Sequence, residues 1–231
     1  MGRRQGGGEG LILAAFDLII FDYDGVVADS ELLNNAILAE LLTEAGMPTT
    51  LEQSLSSYVG KRWSDCVALI QARFGSCPDE LHAEWTRRCH ARAPLELAPV
   101  AGALDFIRSR REPRCIASSS PVDWISMGLS RFGLASTFSG PIYSATIHVT
   151  RGKPHPDLFL HAAAQMQVDP ARSLVIEDSP SGAAAGAAAG MTVVGLCAGG
   201  HMRDGDGHRL RQAGAHHIVD DYRAISVILD A

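Results

Sequence analysis

Two aspartates follow a short apolar segment near the start of the sequence. Residues 18–21 are apolar, Asp22 and Asp24 come next with one residue between them, and Gly25 follows. The apolar run is typical of a buried parallel strand, which in an open α/β sheet ends at the edge where ligands bind. Two carboxylates crowded there repel each other and favour a hard cation such as magnesium between them. The same pattern also occurs in ordinary turns and in calcium loops, so these residues alone leave the chemistry open.

Three further groups of reactive side chains follow or flank other strand-like segments. They are the serines Ser118, Ser119 and Ser120, the lysine Lys153, and the acidic pair Glu177 and Asp178. The serines and the acidic pair come directly after apolar runs, so they too are expected at the carboxyl edge of a sheet. Each group also has an ordinary interpretation: a serine that caps the next helix, which fits Ser120 best, a surface lysine, or a solvated acidic turn.

The elements that must position these groups alternate along the second part of the chain. The pattern predicts helix 102–110, strand 114–118, helix 121–131, a strand near 137–143, helix 156–166, strand 173–177, helix 180–189, strand 191–196, and a last strand and helix after residue 215. Strands that alternate with helices imply parallel βαβ units. The predicted fold is therefore α/β, a doubly wound, Rossmann-like parallel sheet.

The segment between the two aspartates and the second strand is predicted to be entirely helical. Apolar spacing indicates helices at 31–45 and 64–74, a capping box begins at Thr50, and another helix runs from about 78 to 92. We therefore predict an inserted helical domain at 32–96, a core domain at 11–31 and 97–231, and a flexible, glycine-rich extension at 1–10.

Four blocks of this sequence resemble the motifs of the haloacid dehalogenase-like superfamily, in the branch that contains the small phosphatases and β-phosphoglucomutase. They are Asp22-Tyr23-Asp24-Gly25 with the residues up to Ser30, Ile116 to Ser120, Gly152-Lys153-Pro154 with the residues up to Asp157, and Val175-Ile176-Glu177-Asp178 with the residues up to Gly182. Each block alone is weak, but all four stand in the family's order, and the resemblance covers roughly residues 17–221. It implies that the helical insertion is the family's cap, which closes over the site and chooses the substrate.

The resemblance implies a role for each block in phosphoryl transfer. Asp22 is expected to be the nucleophile that forms an aspartyl-phosphate, and Asp24 the acid that protonates the leaving group and then the base that activates water. Lys153 is expected to be a fixed cation beside the nucleophile. Ser118, supported by Ser119, is expected to donate hydrogen bonds to the phosphoryl group.

The resemblance also implies that the cofactor is Mg²⁺. Asp22, Asp178 and the backbone carbonyl of Asp24 are expected to contact the ion, and Glu177 to contact it directly or through water. His201 and His208 suggest a metal site only superficially, since no second cluster of ligands accompanies them, and a loop near the rim of the site is the better interpretation.

Two functions remain in competition, and the insertion bears on the choice. Lys61 and Arg62 fall where relatives have a substrate-contacting loop and are candidates to hold a distal anionic group, although a helix-start loop with surface charges explains them equally well. Asn34 lies where mutases of the β-phosphoglucomutase type have a histidine on the first cap helix. We therefore expect a phosphatase for a sugar or sugar-acid phosphate, with such a mutase as the alternative.

Other classes are disfavoured. A dehalogenase would lack the second aspartate, and a catalytically silent binding protein would not need all of the reactive residues. A formal net charge of −6 over 231 residues provides no basic surface for nucleic acid. The five cysteines include no Cys-x-x-Cys pair, which favours reduced thiols and a cytoplasmic location. We expect no export signal, no membrane helix, and a monomer or weak homodimer with a small phosphorylated metabolite as its partner.

Overall fold

The computed structural model describes residues 16–59, 63–138 and 142–230. The elements in chain order are β1 (Leu18–Phe21), α1 (Ser30–Glu44), α2 (Leu51–Tyr58), α3 (Trp63–Phe74), α4 (Leu81–Glu96), α5 (Ala103–Ser109), β2 (Arg114–Ser118), α6 (Val122–Arg131), β3 (Ile142–Ser144), α7 (Ala145–His148), α8 (Asp157–Met166), a 3-10 turn (Pro170–Arg172), β4 (Ser173–Glu177), α9 (Pro180–Ala188), β5 (Thr192–Leu196), α10 (Asp206–Gln212), β6 (His217–Val219) and α11 (Tyr222–Leu229). The predicted extension at 1–10, the first residues of the predicted core at 11–15, and Lys61 and Arg62 lie outside the described residues.

The strands form one parallel sheet in the order β3-β2-β1-β4-β5-β6. β1 lies between β2 and β4, with Phe21 opposite both Ile116 and Ile176. The chain adds β2 and β3 on one side of β1 and then β4, β5 and β6 on the other side. The direction in which strands are added therefore reverses between β1 and β4. The crevice beyond the carboxyl ends of such a pair is where open α/β sheets bind ligands. The predicted doubly wound α/β fold is confirmed.

Both faces of the sheet are covered by helices. Ile19 and Phe21 pack into an apolar cluster with residues of α5, α6 and α11, whereas Leu18 and Ile20 pack into a second cluster with residues of α8, α9 and α10. All four β1 side chains are completely buried. A strand buried on both faces needs a continuous apolar run rather than an alternating one, which explains the sequence before Asp22.

The segment from α1 to α4 is helical, with α1 packed against α2 and α4, and α4 against α6 of the sheet layer. The predicted capping box is present, since the backbone N–H of Gln53 donates to Thr50 Oγ1 and the N–H of Thr50 to Gln53 Oε1. The prediction that the fourth helix ends near residue 92 was wrong, because α4 continues through Pro94 to Glu96. The guanidinium of Arg131 donates to the carbonyl oxygens of Pro94, Leu95 and Leu97, and these bonds replace partners that a helix end lacks.

Sequence patterns missed the short elements α7, α10 and the 3-10 turn. The α10 segment, predicted as part of a rim loop, contains Asp206, Gly207 and His208 in its first turn, which are poor helix formers. Its buried Leu210 packs on the sheet, so tertiary contact rather than propensity favours this helix. The five cysteines are free thiols, as predicted. Within the described ranges, every helix is too short or too polar to cross a bilayer.

Candidate active site

Asp22 lies one residue beyond the end of β1, at the floor of a crevice. Its backbone N–H donates to the carbonyl of Ile176 at 3.0 Å, so the strand geometry continues up to this residue and fixes where its carboxylate points. The chain then turns at Gly25, whose φ of +75° suits glycine. A Cβ at Gly25 would lie 1.7 Å from Asp178 Oδ2. Only glycine therefore allows the turn to pass this close to the second acidic group.

Lys153 joins Asp22 to Glu177 inside the protein. Its Nζ lies 2.8 Å from Asp22 Oδ1 and 2.6 Å from Glu177 Oε1, and its side chain is 5 % exposed. Burial by itself lowers the pKa of Lys153, but the two carboxylates outweigh burial and raise the pKa above its ordinary value. Lys153 is therefore a permanent positive charge beside Asp22 at any physiological pH.

Glu177 is the last residue of β4 and is completely buried. Its Oε2 accepts hydrogen bonds from the backbone N–H groups of Asp178 and Ser179 and from the Ser179 hydroxyl at 3.0–3.2 Å. A Cβ at Gly182 would overlap the carboxylate, so the start of α9 also needs a glycine. Burial raises the pKa of Glu177 to about 7. The carboxylate is held rigidly between Lys153 and the first turn of α9.

Asp22, Glu177 and Asp178 form the cluster that fits a metal ion. One carboxylate oxygen from each lies within 4.8 Å of the others, and all three residues are buried. No other such group of acidic, histidine or cysteine ligands occurs in the described part of the chain. Ionised, the three carboxylates and the one ammonium group of Lys153 leave two negative charges, which a divalent cation would balance. A donor set made only of oxygens suits magnesium.

Asp24 lies across the turn from Asp22, and its carboxylate is held by three donors. Ser30 Oγ and Trp124 Nε1 donate to Oδ1 at 2.5 and 3.0 Å, and Ser120 Oγ donates to Oδ2. Burial raises the pKa of Asp24, and the neighbouring Asp22 adds to this, against the opposing effect of the three hydrogen bonds. Asp24 therefore holds its proton more tightly than an ordinary aspartate, as a general acid must.

The serines after β2 differ in their contacts. Ser118 is buried, and its Oγ accepts from the backbone N–H of Ser120, whereas Ser119 is exposed and faces the crevice. The interpretation of Ser120 as a helix cap was wrong, since Pro121 is the N-cap of α6 and the Ser120 hydroxyl binds Asp24. The bond to Asp24 connects residues 96 positions apart, so local sequence does not reveal it.

His201 contacts Asp178 and also lies close to Gly25, in the turn that follows β1. Its Nε2 is 3.1 Å from Asp178 Oδ2, and its side chain is 6 % exposed. Burial by itself lowers the pKa of His201, but the hydrogen bond and charge of Asp178 outweigh it, so the pKa lies above its ordinary value. Both histidines were expected in a loop near the rim; His201 is in a loop but buried, and His208 is exposed but lies in α10.

A cavity of about 820 Å³ lies between the carboxyl edge of the sheet and the helical segment. Its floor is formed by Asp22, Asp24, Ser118, Ser119, Ser120, Lys153 and Asp178, and its helical wall by Asn34, Val59, His82, Trp85, Thr86, Cys89 and His90. The indole N–H of Trp85 donates to the carbonyl oxygen of Asn34 at 2.9 Å, and Trp63 stacks on its ring. Three of these seven wall residues are aromatic and none is acidic, a lysine or an arginine, whereas Glu31, in the first turn of α1, adds a carboxylate to the lining of the cavity.

The structure thus brings together the predicted site residues that it describes. Asp22, Asp24, Asn34, Ser118, Ser119, Lys153 and Asp178 line one cavity, and Glu177 lies directly beneath them. The sequence did not predict the contacts of Ser30, Ser120 and Trp124 with Asp24, or that of His201 with Asp178. A signal for His201 was present, because it follows β5 and so belongs to the same edge of the sheet.

Comparisons with known proteins agree with this geometry. The family model of haloacid dehalogenase-like hydrolases matches residues 16–190. The chain is 25% identical over 193 residues to 6-phosphogluconate phosphatase of Escherichia coli K12, covering 83% of this chain and 87% of that protein. It is 30% identical to validoxylamine A 7'-phosphate phosphatase of Streptomyces hygroscopicus subsp. limoneus, covering 78% and 85%. A crystal structure of a hydrolase of the same family from Deinococcus radiodurans, with bound phosphate and sodium, has a TM-score of 0.82, 31% identity and coverage of 94% and 96%.

Proposed function

The chain belongs to the haloacid dehalogenase-like hydrolases, and we propose that it is a magnesium-dependent phosphatase that hydrolyses a small phosphorylated metabolite through an aspartyl-phosphate. One observation carries the proposal: the carboxylate of Asp22 is held 2.8 Å from the ammonium group of Lys153, beside a buried cluster of acidic residues, at the floor of a large cavity. A nucleophile next to a fixed cation suits a dianionic phosphate monoester, whose charge must be neutralised before attack.

The residues that would hold magnesium are Asp22, Asp178 and the backbone carbonyl of Asp24, with Glu177 directly or through water. Magnesium, when bound, supplies neutralisation of the phosphoryl oxygens and orientation of the ester for in-line attack. The fit rests on the buried cluster of carboxylate oxygens.

In the first half-reaction, a carboxylate oxygen of Asp22 attacks phosphorus and the bond from phosphorus to the ester oxygen breaks. Asp24 gives its proton to the departing oxygen, so the alcohol leaves neutral. Ser118 and Ser119 donate hydrogen bonds to the phosphoryl oxygens, and Lys153 balances the charge that remains on them.

In the second half-reaction, Asp24 acts as a base. It takes a proton from a water molecule that attacks the phosphorus of the aspartyl-phosphate, and the bond from Asp22 to phosphorus breaks. Inorganic phosphate leaves, and both aspartates return to their starting states. Ser30, Ser120 and Trp124 hold the Asp24 carboxylate in one place through both steps.

We propose that the helical segment, 32–96, is a cap on the core domain of 11–31 and 97–231. It forms the wall of the cavity opposite Asp22, and in that position it would exclude water and contact the leaving group. The curated relatives support a sugar or sugar-acid phosphate as substrate, since one is named a phosphatase of 6-phosphogluconate. Lys61 or Arg62 would then hold a distal anionic group, and Asn34 would contact the substrate.

Asn34 also supports a phosphatase over a mutase. An asparagine forms hydrogen bonds but does not exchange a proton near neutral pH, so it lacks the means to link cap closure to proton transfer that a histidine has. In a mutase this link protects the aspartyl-phosphate from water until the sugar bisphosphate intermediate has reoriented in the site.

The experiment is to incubate the purified protein and magnesium with a panel of sugar phosphates and sugar-acid phosphates. Free phosphate and isomerised sugar are counted in the same samples, with and without a sugar bisphosphate as primer. We expect phosphate release without isomerisation. If isomerisation is faster than phosphate release, the mutase is the correct function and the phosphatase is not. If the protein turns over no phosphomonoester, both proposed functions are refuted.

A further inference from the structure

His201 lies in the loop between β5 and α10, but it is buried and packed against one of the proposed metal ligands rather than exposed at the rim. It follows β5 and reaches back toward β4, where its Nε2 lies 3.1 Å from Asp178 Oδ2. Both side chains are more than nine-tenths buried. Solvent therefore competes little with this hydrogen bond, and the proposed mechanism gives the histidine no part.

The imidazole ring is confined by two backbone segments. A Cβ at Gly25 would lie 2.8 Å from His201 Cε1, and a Cβ at Gly199 would lie 2.7 Å from the same atom. Only the absence of side chains at both glycines leaves room for the ring. Such a tight fit holds the ring in one orientation, with its Nε2 toward Asp178.

The loop that carries His201 is also tied to the start of α1. The backbone N–H of Gly200 donates to Asp29 Oδ1 and Oδ2 at 3.0 and 3.2 Å. Asp29 is the N-cap residue of α1, yet its side chain makes no capping hydrogen bond within that helix. The carboxylate that ordinarily caps a helix binds the loop instead, and thereby fixes the position of His201.

We propose that His201 is a positioning residue that orients the Asp178 carboxylate for metal binding, an inference that rests on the proposed magnesium-dependent function. Its Nε2–H donates to Oδ2 and leaves the other oxygen of Asp178 for the ion. A partner that orients a metal-binding carboxylate typically contributes 10- to 100-fold, as an order of magnitude, to metal affinity.

The test measures magnesium binding directly, by isothermal titration calorimetry on the full chain without substrate. We expect His201→Leu to raise the dissociation constant for magnesium about 10- to 100-fold. His201→Gln, whose side-chain amide nitrogen extends about as far as Nε2, should keep the constant within about threefold of the unaltered protein. His208→Leu is the matched control, an exposed histidine seven positions along the chain, and should change nothing.

Kinetics separate positioning from a merely structural role. For His201→Leu, a higher magnesium concentration should restore most of kcat, because the Asp178 carboxylate is still present and has only lost its fixed orientation. If His201→Leu is folded by circular dichroism and binds magnesium as tightly as the unaltered protein, the proposal is wrong. If that variant does not fold, His201→Asn, whose amide is too short to reach Oδ2, takes its place, and failure of both to fold would make the role structural and overturn the proposal. Absence of magnesium binding by the unaltered protein would instead refute the proposed function.

Discussion

Replacing Lys153 with methionine tests the centre of the site, because the substitution removes one positive charge and keeps an unbranched side chain of similar length. The ammonium group pairs with Asp22 and Glu177, whose side chains are 10% and 0% exposed. Removing one partner of a buried ion pair leaves an uncompensated charge and costs about 3–5 kcal/mol. We expect Lys153→Met to lower the free energy of unfolding by about that amount in EDTA at neutral pH.

Magnesium should reverse much of this loss of stability while leaving the enzyme inactive. The ion would neutralise the same carboxylates that Lys153 pairs with, so added magnesium should stabilise the variant more than it stabilises the unaltered protein. It does not replace the cation beside the transferring phosphoryl group, and we expect kcat to fall at least about 100- to 1,000-fold.

Urea unfolding with and without magnesium, and phosphate release at saturating magnesium, measure the two effects. The control is Arg87→Met, which breaks the ion pair with Glu84 on the surface of α4, where the arginine side chain is 66% exposed, and should lower stability far less than Lys153→Met does. Equal losses of stability in the two variants, or a kcat within tenfold of normal for Lys153→Met, would refute the reasoning.

Four shorter predictions follow from the same site. Asp22→Asn should lower phosphatase activity more than about a thousandfold, because an amide cannot form the aspartyl-phosphate, and a tenth of normal activity in a preparation free of host enzymes would contradict this. Excess EDTA should abolish phosphate release and excess magnesium should restore it, whereas full activity in the chelator would exclude the metal. Trp124→Phe keeps an aromatic side chain but loses the N–H donor to Asp24, so kcat should fall by about tenfold, and an unchanged kcat would remove Trp124 from the mechanism. The smaller ring also leaves space in the core, so the unfolding midpoint should fall as well. In EDTA the thermal midpoint should decrease as the pH is raised from about 5 to about 8. Burial raises the pKa of Glu177 to about 7, so as the pH rises this carboxyl loses its proton in the unfolded protein before it does in the folded one. Glu177→Gln, which cannot titrate, should flatten the dependence of the midpoint on pH.

The sequence was most informative where one residue marks both the end of a strand and a reactive group. Apolar runs predicted β1, β2, β4 and β5. Asp22 and Asp178, which follow β1 and β4, and Ser118, the last residue of β2, meet at one edge because the strands are parallel. This is why the resemblance to the family, the fold and most of the candidate site could be predicted without a structure.

Contacts between distant segments could not be predicted in the same way. Trp124 and Ser120 hold Asp24 from about a hundred residues away, and His201 depends on the space left by Gly25 and Gly199. These arrangements follow from packing, which no periodicity or spacing records. The sequence therefore indicated which groups are candidates to react but not which groups hold them in place.

The anchoring of α4 by Arg131 bears on how enzymes of this kind could be recombined. Its guanidinium binds three carbonyl oxygens at the end of α4 and beyond it, so residues 94–97 are fastened to α6 on the sheet layer. A chimera could take both its helical segment and the residues that lead back to the sheet from another protein. It would lose these hydrogen bonds to Arg131 unless the backbone of the donor placed its carbonyl oxygens in the same positions. The natural splice points lie just after Ser30 and just before Pro94, where a transplanted segment would inherit the attachment already present in the recipient.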